Sequence, residues 1–287
     1  MITATKTYFC HELDSMETFV QLSVNHSTHT DIVVENTPFH PVSHIWPDHP
    51  ADIGWVTIKG ECYQVFDCLV GAVELATTTL YVGKEIPVKR DTEGWLFVVV
   101  HRVKEKLELL SDQAISLKVD RDYQLSLSRG HSAGHIASLA LNKVLANQYW
   151  RKVADRTDGL GHYDFNSYAQ EKSEVFPERC VDLYRLGKTL KKRGLNTADV
   201  LADLVQIESE VNAVLQHWLA KPTSIRMRLE GPYLTSSRYW EWEMSDAVVV
   251  MPCGGTHVSS TAELSQVSIE LQMIESTYIQ MHTYVNR

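Results

Sequence analysis

Up to residue 102 the chain alternates apolar and polar positions in short runs. Segments 18–24, 31–35, 53–59, 63–70, 78–82 and 95–101 are rich in Val, Ile, Phe, Tyr and Thr and are separated by turn residues. That pattern predicts half-buried strands. Short strands at regular spacing imply an antiparallel barrel or sandwich. Segment 36–50, crowded with prolines and histidines, interrupts the series. It predicts a long ordered connection, of the kind that often carries function.

Segment 114–120 predicts one more strand, and then the period changes. Ile136, Leu139, Ala140 and Val144 recur at helical spacing and predict a helix over 130–147. Segment 150–180 has no regular period. A second helix is expected over 196–220, with Asn196 as N-cap and Asp199 in the first turn. Its apolar stripe is Leu201, Leu204, Val205, Leu215 and Leu219. Glu208 and Asn212 fall inside that stripe, so each needs a partner, either backbone or a site residue. After Pro222, segments 225–229, 239–244, 247–251, 267–271 and 278–285 again predict strands. Helices and strands are segregated rather than strictly alternating, so the expected fold class is α+β. The expected organisation is an antiparallel β-barrel-like domain over 1–112, then an α+β domain over 113–287 in which helices pack on an antiparallel sheet.

Composition narrows the partners. The chain has 287 residues, 44% hydrophobic and 22% charged, which excludes disordered and collagen-like classes. No apolar run reaches the ~20 residues of a membrane helix. Residues 1–6 lack the charged and apolar segments of a secretory leader, so a cytoplasmic location without a membrane partner is expected. The five cysteines, Cys10, Cys62, Cys68, Cys180 and Cys253, are scattered and odd in number. That suits a reducing compartment better than a disulfide framework. The net charge of −9 argues against DNA as a partner, and RNA binding would need a local basic face. Arg185, Lys188 and Lys192, with Lys191 and Arg193 beside them, are the candidate. The first three share a face if 183–194 is helical, and such clusters position phosphates without reading sequence.

Two motifs carry chemistry. His131-Ser132-Ala133-Gly134-His135 places two imidazoles one helical turn apart, close enough to share an ion. Cys253-Gly254-Gly255-Thr256-His257 cannot be regular helix; its glycines let Cys253 and His257 fold back toward one point. One thiolate with three imidazoles is a donor set suited to Zn²⁺. Four protein ligands, however, are also the usual set of a structural zinc, so catalytic and structural roles both stand. Gly134 breaks helix propensity by ~1 kcal/mol beside a candidate ligand, which suggests a close approach there.

The pairing of these motifs resembles the editing domain of alanyl-tRNA synthetases, and most of all the free-standing AlaX-type editing proteins. Val119-Asp120, Arg129-Gly130-His131, Glu208 with Asn212, and Thr261-Ala262-Glu263-Leu264 are similar to further family segments. So are Asn36 to Pro41 and Pro50 to Gly54 at the first-domain signature. The resemblance implies a hydrolase acting in trans on mischarged tRNA(Ala), chiefly Ser-tRNA(Ala) and in some members Gly-tRNA(Ala). It implies Zn²⁺ on His131, His135, Cys253 and His257, with a water activated by the ion as the expected nucleophile. It also makes Thr37 a residue for amino-acid selection. The family's run of three glycines and a glutamine is replaced here by a longer loop, His40 to Pro50, which puts His49 near the glutamine position. Thr37 and His49 are therefore the expected substrate-binding residues. A related hydrolase with shifted selectivity, or a non-catalytic RNA-binding module with structural zinc, are the competing readings.

Overall fold

The alternating runs form strands. In the computed structural model, which describes residues 2–286, nine strands occupy the first part of the chain: β1 (Lys6–Thr7), β2 (Ser15–Asn25), β3 (Thr30–Val34), β4 (Asn36–Thr37), β5 (Gly54–Ile58), β6 (Glu61–Glu74), β7 (Thr79–Val82), β8 (Trp95–Val103) and β9 (Ala114–Val119). Seven of them form one sheet in the order β5-β9-β2-β3-β8-β6-β7, and β5 also pairs with β6. The extra pairing closes six strands into a ring with β7 appended to β6. Every pairing in it is antiparallel. Closure removes the exposed edges that an open sheet would present. Inside lie Val20, Ile32, Val56, Val65, Val99, Leu117 and Val119, each at most 1% exposed. These are the inward members of the alternation.

The second part contains α1 (Arg121–Gln148), α2 (Phe165–Ala169), β10 (Gln170–Phe176), β11 (Arg179–Arg185), α3 (Lys188–Arg193), α4 (Thr197–Ala202), α5 (Leu204–Trp218), β12 (Ser224–Leu229), β13 (Arg238–Glu243), β14 (Val248–Pro252), β15 (Gln266–Glu275) and β16 (Tyr278–Asn286). β10, β11, β16 and β15 form one antiparallel sheet in that order, and β12, β13 and β14 another. The architecture is α+β, as the segregated pattern predicts. By compactness the chain divides into two units. One holds the residues up to Leu125 with Leu229–Arg238 and Gly254–Thr256; the other holds Ser126–Arg228, Tyr239–Cys253 and the residues from His257 onward. Strand 114–119, read from the sequence as the start of the second domain, pairs with β2 and β5 in the ring. No helix among the described residues is long and apolar enough to cross a membrane.

Three local departures from the sequence pattern have physical causes. Helix α1 starts at Arg121, not near Gly130, because Asp120 caps it: its side chain accepts the Tyr123 N–H at 3.1 Å. Segment 150–180 is irregular only as far as 164, for 165–169 is a helix and β10 begins the hairpin that continues into β11. β10 reads as polar because its outer face is exposed, while β11 buries Cys180, Val181 and Tyr184. The single helix expected over 196–220 breaks at Asp203 into α4 and α5, each with its own phase. α5 buries Ile207, Val211 and Leu215 at a four-residue spacing, whereas Val205 is 84% exposed.

Glu208 and Asn212 find backbone partners. Asn212 donates to the Ile269 carbonyl at 3.0 Å and accepts the Ile269 N–H at 2.7 Å. Glu208 accepts the Leu271 N–H at 2.7 Å. β15 is an edge strand, and α5 thereby supplies the hydrogen bonds a further strand would make.

Candidate metal centre

The ligand pair on α1 is positioned by glycine. A Cβ on Gly130 would lie 2.5 Å from the Phe176 carbonyl oxygen and 2.6 Å from that of Arg179. On Gly134 it would lie 2.8 Å from Cys180 Sγ. The helix therefore rests backbone-close on the β10–β11 hairpin through a one-turn pair of glycines, and the cost in helix propensity is accepted for that approach. The close approach inferred at Gly134 is thus to the hairpin. His131 and His135 each follow a glycine by one position, so they occupy a neighbouring stripe of the same helix.

Cys253 and His257 come from the stretch after β14. Cys253 Sγ lies 3.5 Å from His131 Nε2, 3.4 Å from His135 Nε2 and 3.2 Å from His257 Nε2. All three imidazoles offer the same ring nitrogen to one sulfur. The four donor atoms lie within 4.8 Å of one another. Around zinc, with bonds of ~2.3 Å to sulfur and ~2.0–2.1 Å to nitrogen, a tetrahedron has edges of about 3.5 Å. The spacing and the donor chemistry both fit such an ion.

The surroundings hold these rings. The Trp240 indole, fully buried, stacks on His135 with centroids 5.1 Å apart and planes 17° apart. His131 and His257 stack at 4.2 Å. Burial pushes the His135 imidazole down to about 4, which keeps it neutral at pH 7, the form that ligates metals. Ser132 Oγ lies 3.0 Å from His257 Nδ1 and accepts the Val258 N–H at 3.2 Å. Neither Trp240 nor Ser132 was singled out by the sequence. Ser132 sits visibly between the two helical ligands, whereas only the fold reveals Trp240.

The expected substrate residues belong to the other compact unit. Thr37 is fully buried, its hydroxyl 2.8 Å from His101 Nε2 and accepting the Phe39 N–H at 3.1 Å. His49 is 3% exposed. Its Nδ1 lies 2.8 Å from the Pro50 carbonyl and its Nε2 3.2 Å from Thr256 Oγ1. Burial pulls His49 down to about 4. His40 packs on it at 4.4 Å, and the His40 N–H donates to Asp52 at 2.7 Å. Asp52, which also accepts from Gln124 at 2.6 Å, is buried and pushed up to about 7.

The basic cluster is not one helical face. Arg185 ends strand β11 and meets Glu171 at 3.3 Å, whereas Lys188 and Lys192 lie on the six-residue α3. Gly187, in extended conformation, separates the two elements. A second cluster, His26, His29 and Asp31, also brings possible metal donors together. There the carboxylate is committed to Arg102, whose Nε donates to it at 2.8 Å.

No family model matches the chain. It is similar to the alanine–tRNA ligase of Methanosarcina acetivorans, 25% identical over 245 residues, which is 83% of this chain and 21% of that protein. The ligase of Methanothermobacter thermautotrophicus is 23% identical over 271 residues, 93% of this chain and 24% of that protein. That of Chlorobaculum tepidum is 25% identical over 173 residues, 55% of this chain and 16% of that protein. The chain thus spans a quarter or less of the length of the relatives it matches, and nearly all of it is similar to one stretch of an alanine–tRNA ligase.

Proposed function

We propose that the chain is a zinc-dependent aminoacyl-tRNA deacylase of the AlaX type, acting in trans on tRNA(Ala) that carries serine or glycine. The convergence of His131, His135, Cys253 and His257 carries this reading, in a chain similar to part of the alanine–tRNA ligases. An aminoacyl ester is already activated, so orienting a water and stabilising the carbonyl oxygen suffices for hydrolysis. Bound zinc would supply Lewis-acid polarisation at that centre. The protein's part is to hold the four donors at fixed spacing, with Trp240 and Ser132 limiting how the rings turn. Thr37 and His49 are the residues proposed to select the amino acid. A site that hydrogen-bonds the serine hydroxyl rejects alanine, because its polar groups would then be left unpaired. Arg185, Lys188 and Lys192 are proposed to meet tRNA phosphates. A cytoplasmic location and the absence of a DNA or membrane partner belong to the same proposal.

A closed set of four protein ligands favours one alternative, a structural zinc in an RNA-binding module without catalysis. Incubating native protein and Cys253→Ala with Ser-tRNA(Ala), Gly-tRNA(Ala) and Ala-tRNA(Ala) separates the two. Release of serine or glycine by the native protein alone is the expected result. Equal hydrolysis by both proteins overturns the site assignment. Retained zinc with no hydrolysis of any mischarged tRNA favours the structural reading.

A further inference from the structure

Serines within helices commonly turn their hydroxyl back onto the carbonyl of the preceding turn. Ser132 instead reaches residues 125 and 126 positions away in sequence: His257 Nδ1 at 3.0 Å and the Val258 N–H at 3.2 Å. It is fully buried, and Val258 is 2% exposed, so water does not substitute readily for either bond. His257 is held from both ends of its ring, by Ser132 at Nδ1 and by the Cys253 thiol 3.2 Å from Nε2.

A neutral imidazole carries its proton on one nitrogen only, and the nitrogen that ligates must be the bare one. The Ser132 oxygen already accepts the Val258 N–H and has a second lone pair for Nδ1–H. With that proton on Nδ1, Nε2 is bare and faces the sulfur. If the hydroxyl donated to Nδ1 instead, Nε2 would hold the proton and could not ligate. Outer hydrogen-bond partners of this kind set both the tautomer and the aim of a ligating histidine.

Resting on the reading that these four residues hold zinc, we propose that Ser132 is a positioning residue for the metal. It accepts the His257 Nδ1 proton and so presents Nε2 to the ion. The helix that supplies two ligands thereby orients a third from a distant segment.

The test is zinc affinity by chelator competition on native protein, Ser132→Ala and Ser132→Thr, together with thermal unfolding of each metal-free form. Alanine should weaken zinc binding about 10- to 100-fold, the usual effect of losing an outer-shell partner, and threonine should restore much of it. An alanine variant that melts lower without zinc yet binds zinc as tightly as native reduces Ser132 to a packing role and overturns the inference. Should alanine prevent folding, ring ¹⁵N shifts of His257 in zinc-loaded native protein decide. Protonated Nδ1 with ligated Nε2 supports the inference, and the reverse tautomer overturns it. Native protein that takes up no zinc overturns the reading beneath the inference, a result distinct from native and alanine proteins that bind equally.

Discussion

Asn212 and Ile269 meet as if two strands were paired: one side-chain amide bonds both the N–H and the C=O of the same residue, at 2.7 and 3.0 Å. Glu208 repeats half of the arrangement one helical turn earlier, at Leu271. Asn212→Leu should leave two polar atoms of the β15 backbone unpartnered and cost about 1–3 kcal/mol. Urea unfolding should show it, and amide exchange at Ile269 should speed up well before exchange in the β11–β16 pairing. Unchanged exchange at Ile269 would mean that solvent satisfies the edge without the helix.

The glycines of α1 should differ in tolerance. Alanine at Gly130 drives a methyl into two backbone carbonyls, which cannot turn aside, whereas alanine at Gly134 meets the Cys180 side chain. Overpacking of this kind costs about 1–3 kcal/mol, against a gain in helix propensity of ~1 kcal/mol. Thermal melts should therefore rank Gly130→Ala well below Gly134→Ala. Equal melting points would contradict the hairpin contact.

Stability should fall in acid. Burial holds His49 and His101 near 4, below their ordinary 6.5, so the unfolded chain binds their protons first. Their contribution is present above about 6.5 and is lost as pH falls toward 4. Asp52 acts oppositely: raised from 3.8 to about 7, it favours the folded state below 3.8 and loses that advantage as pH rises through 7. Between pH 4 and 6.5 these histidines, with His135 and His40 lowered by burial as well, outweigh one carboxyl, so unfolding free energy should rise with pH. Asp52→Asn should steepen that rise by about one proton. A slope that stays the same in Asp52→Asn would show that Asp52 is ionised in the folded protein throughout.

Zinc should stabilise the unit that holds its ligands. Free zinc at 100 times its dissociation constant adds about 2.7 kcal/mol to the folded state. Cys253→Ala should lose most of this shift, read as melting temperature with and without metal. A full shift retained in Cys253→Ala would place the zinc elsewhere.

The candidate ligands were legible because two motifs occur together: His131 and His135 one helical turn apart, and Cys253 and His257 around two glycines, a pairing that neither motif carries by itself. Barrel strands were legible because one-sided burial forces alternation, as in β5, where Gly54, Val56 and Ile58 point inward. Other features depend on partners that a local pattern cannot name. The first turns of α1 read poorly because Leu125 and Leu127 alternate as in a strand, and only the Asp120 cap marks the start. Val205 falls in the apolar stripe only if a single phase runs through 196–220, and the break at Asp203 resets that phase. Arg185 is close to Lys188 and Lys192 in sequence, but a strand end and a helix do not share a face. Ser132 could be seen beside the ligands, but its partner lies on a segment that only folding delivers.

Gly130, His131, Gly134 and His135 interleave footing and function within six consecutive positions. The glycines fix how far the helix is rotated and slid on its hairpin, and so they also aim the imidazoles. Transplanting the two histidines into a foreign scaffold would carry the chemistry without its foundation. A protein engineer borrowing this centre would have to move the hairpin with it.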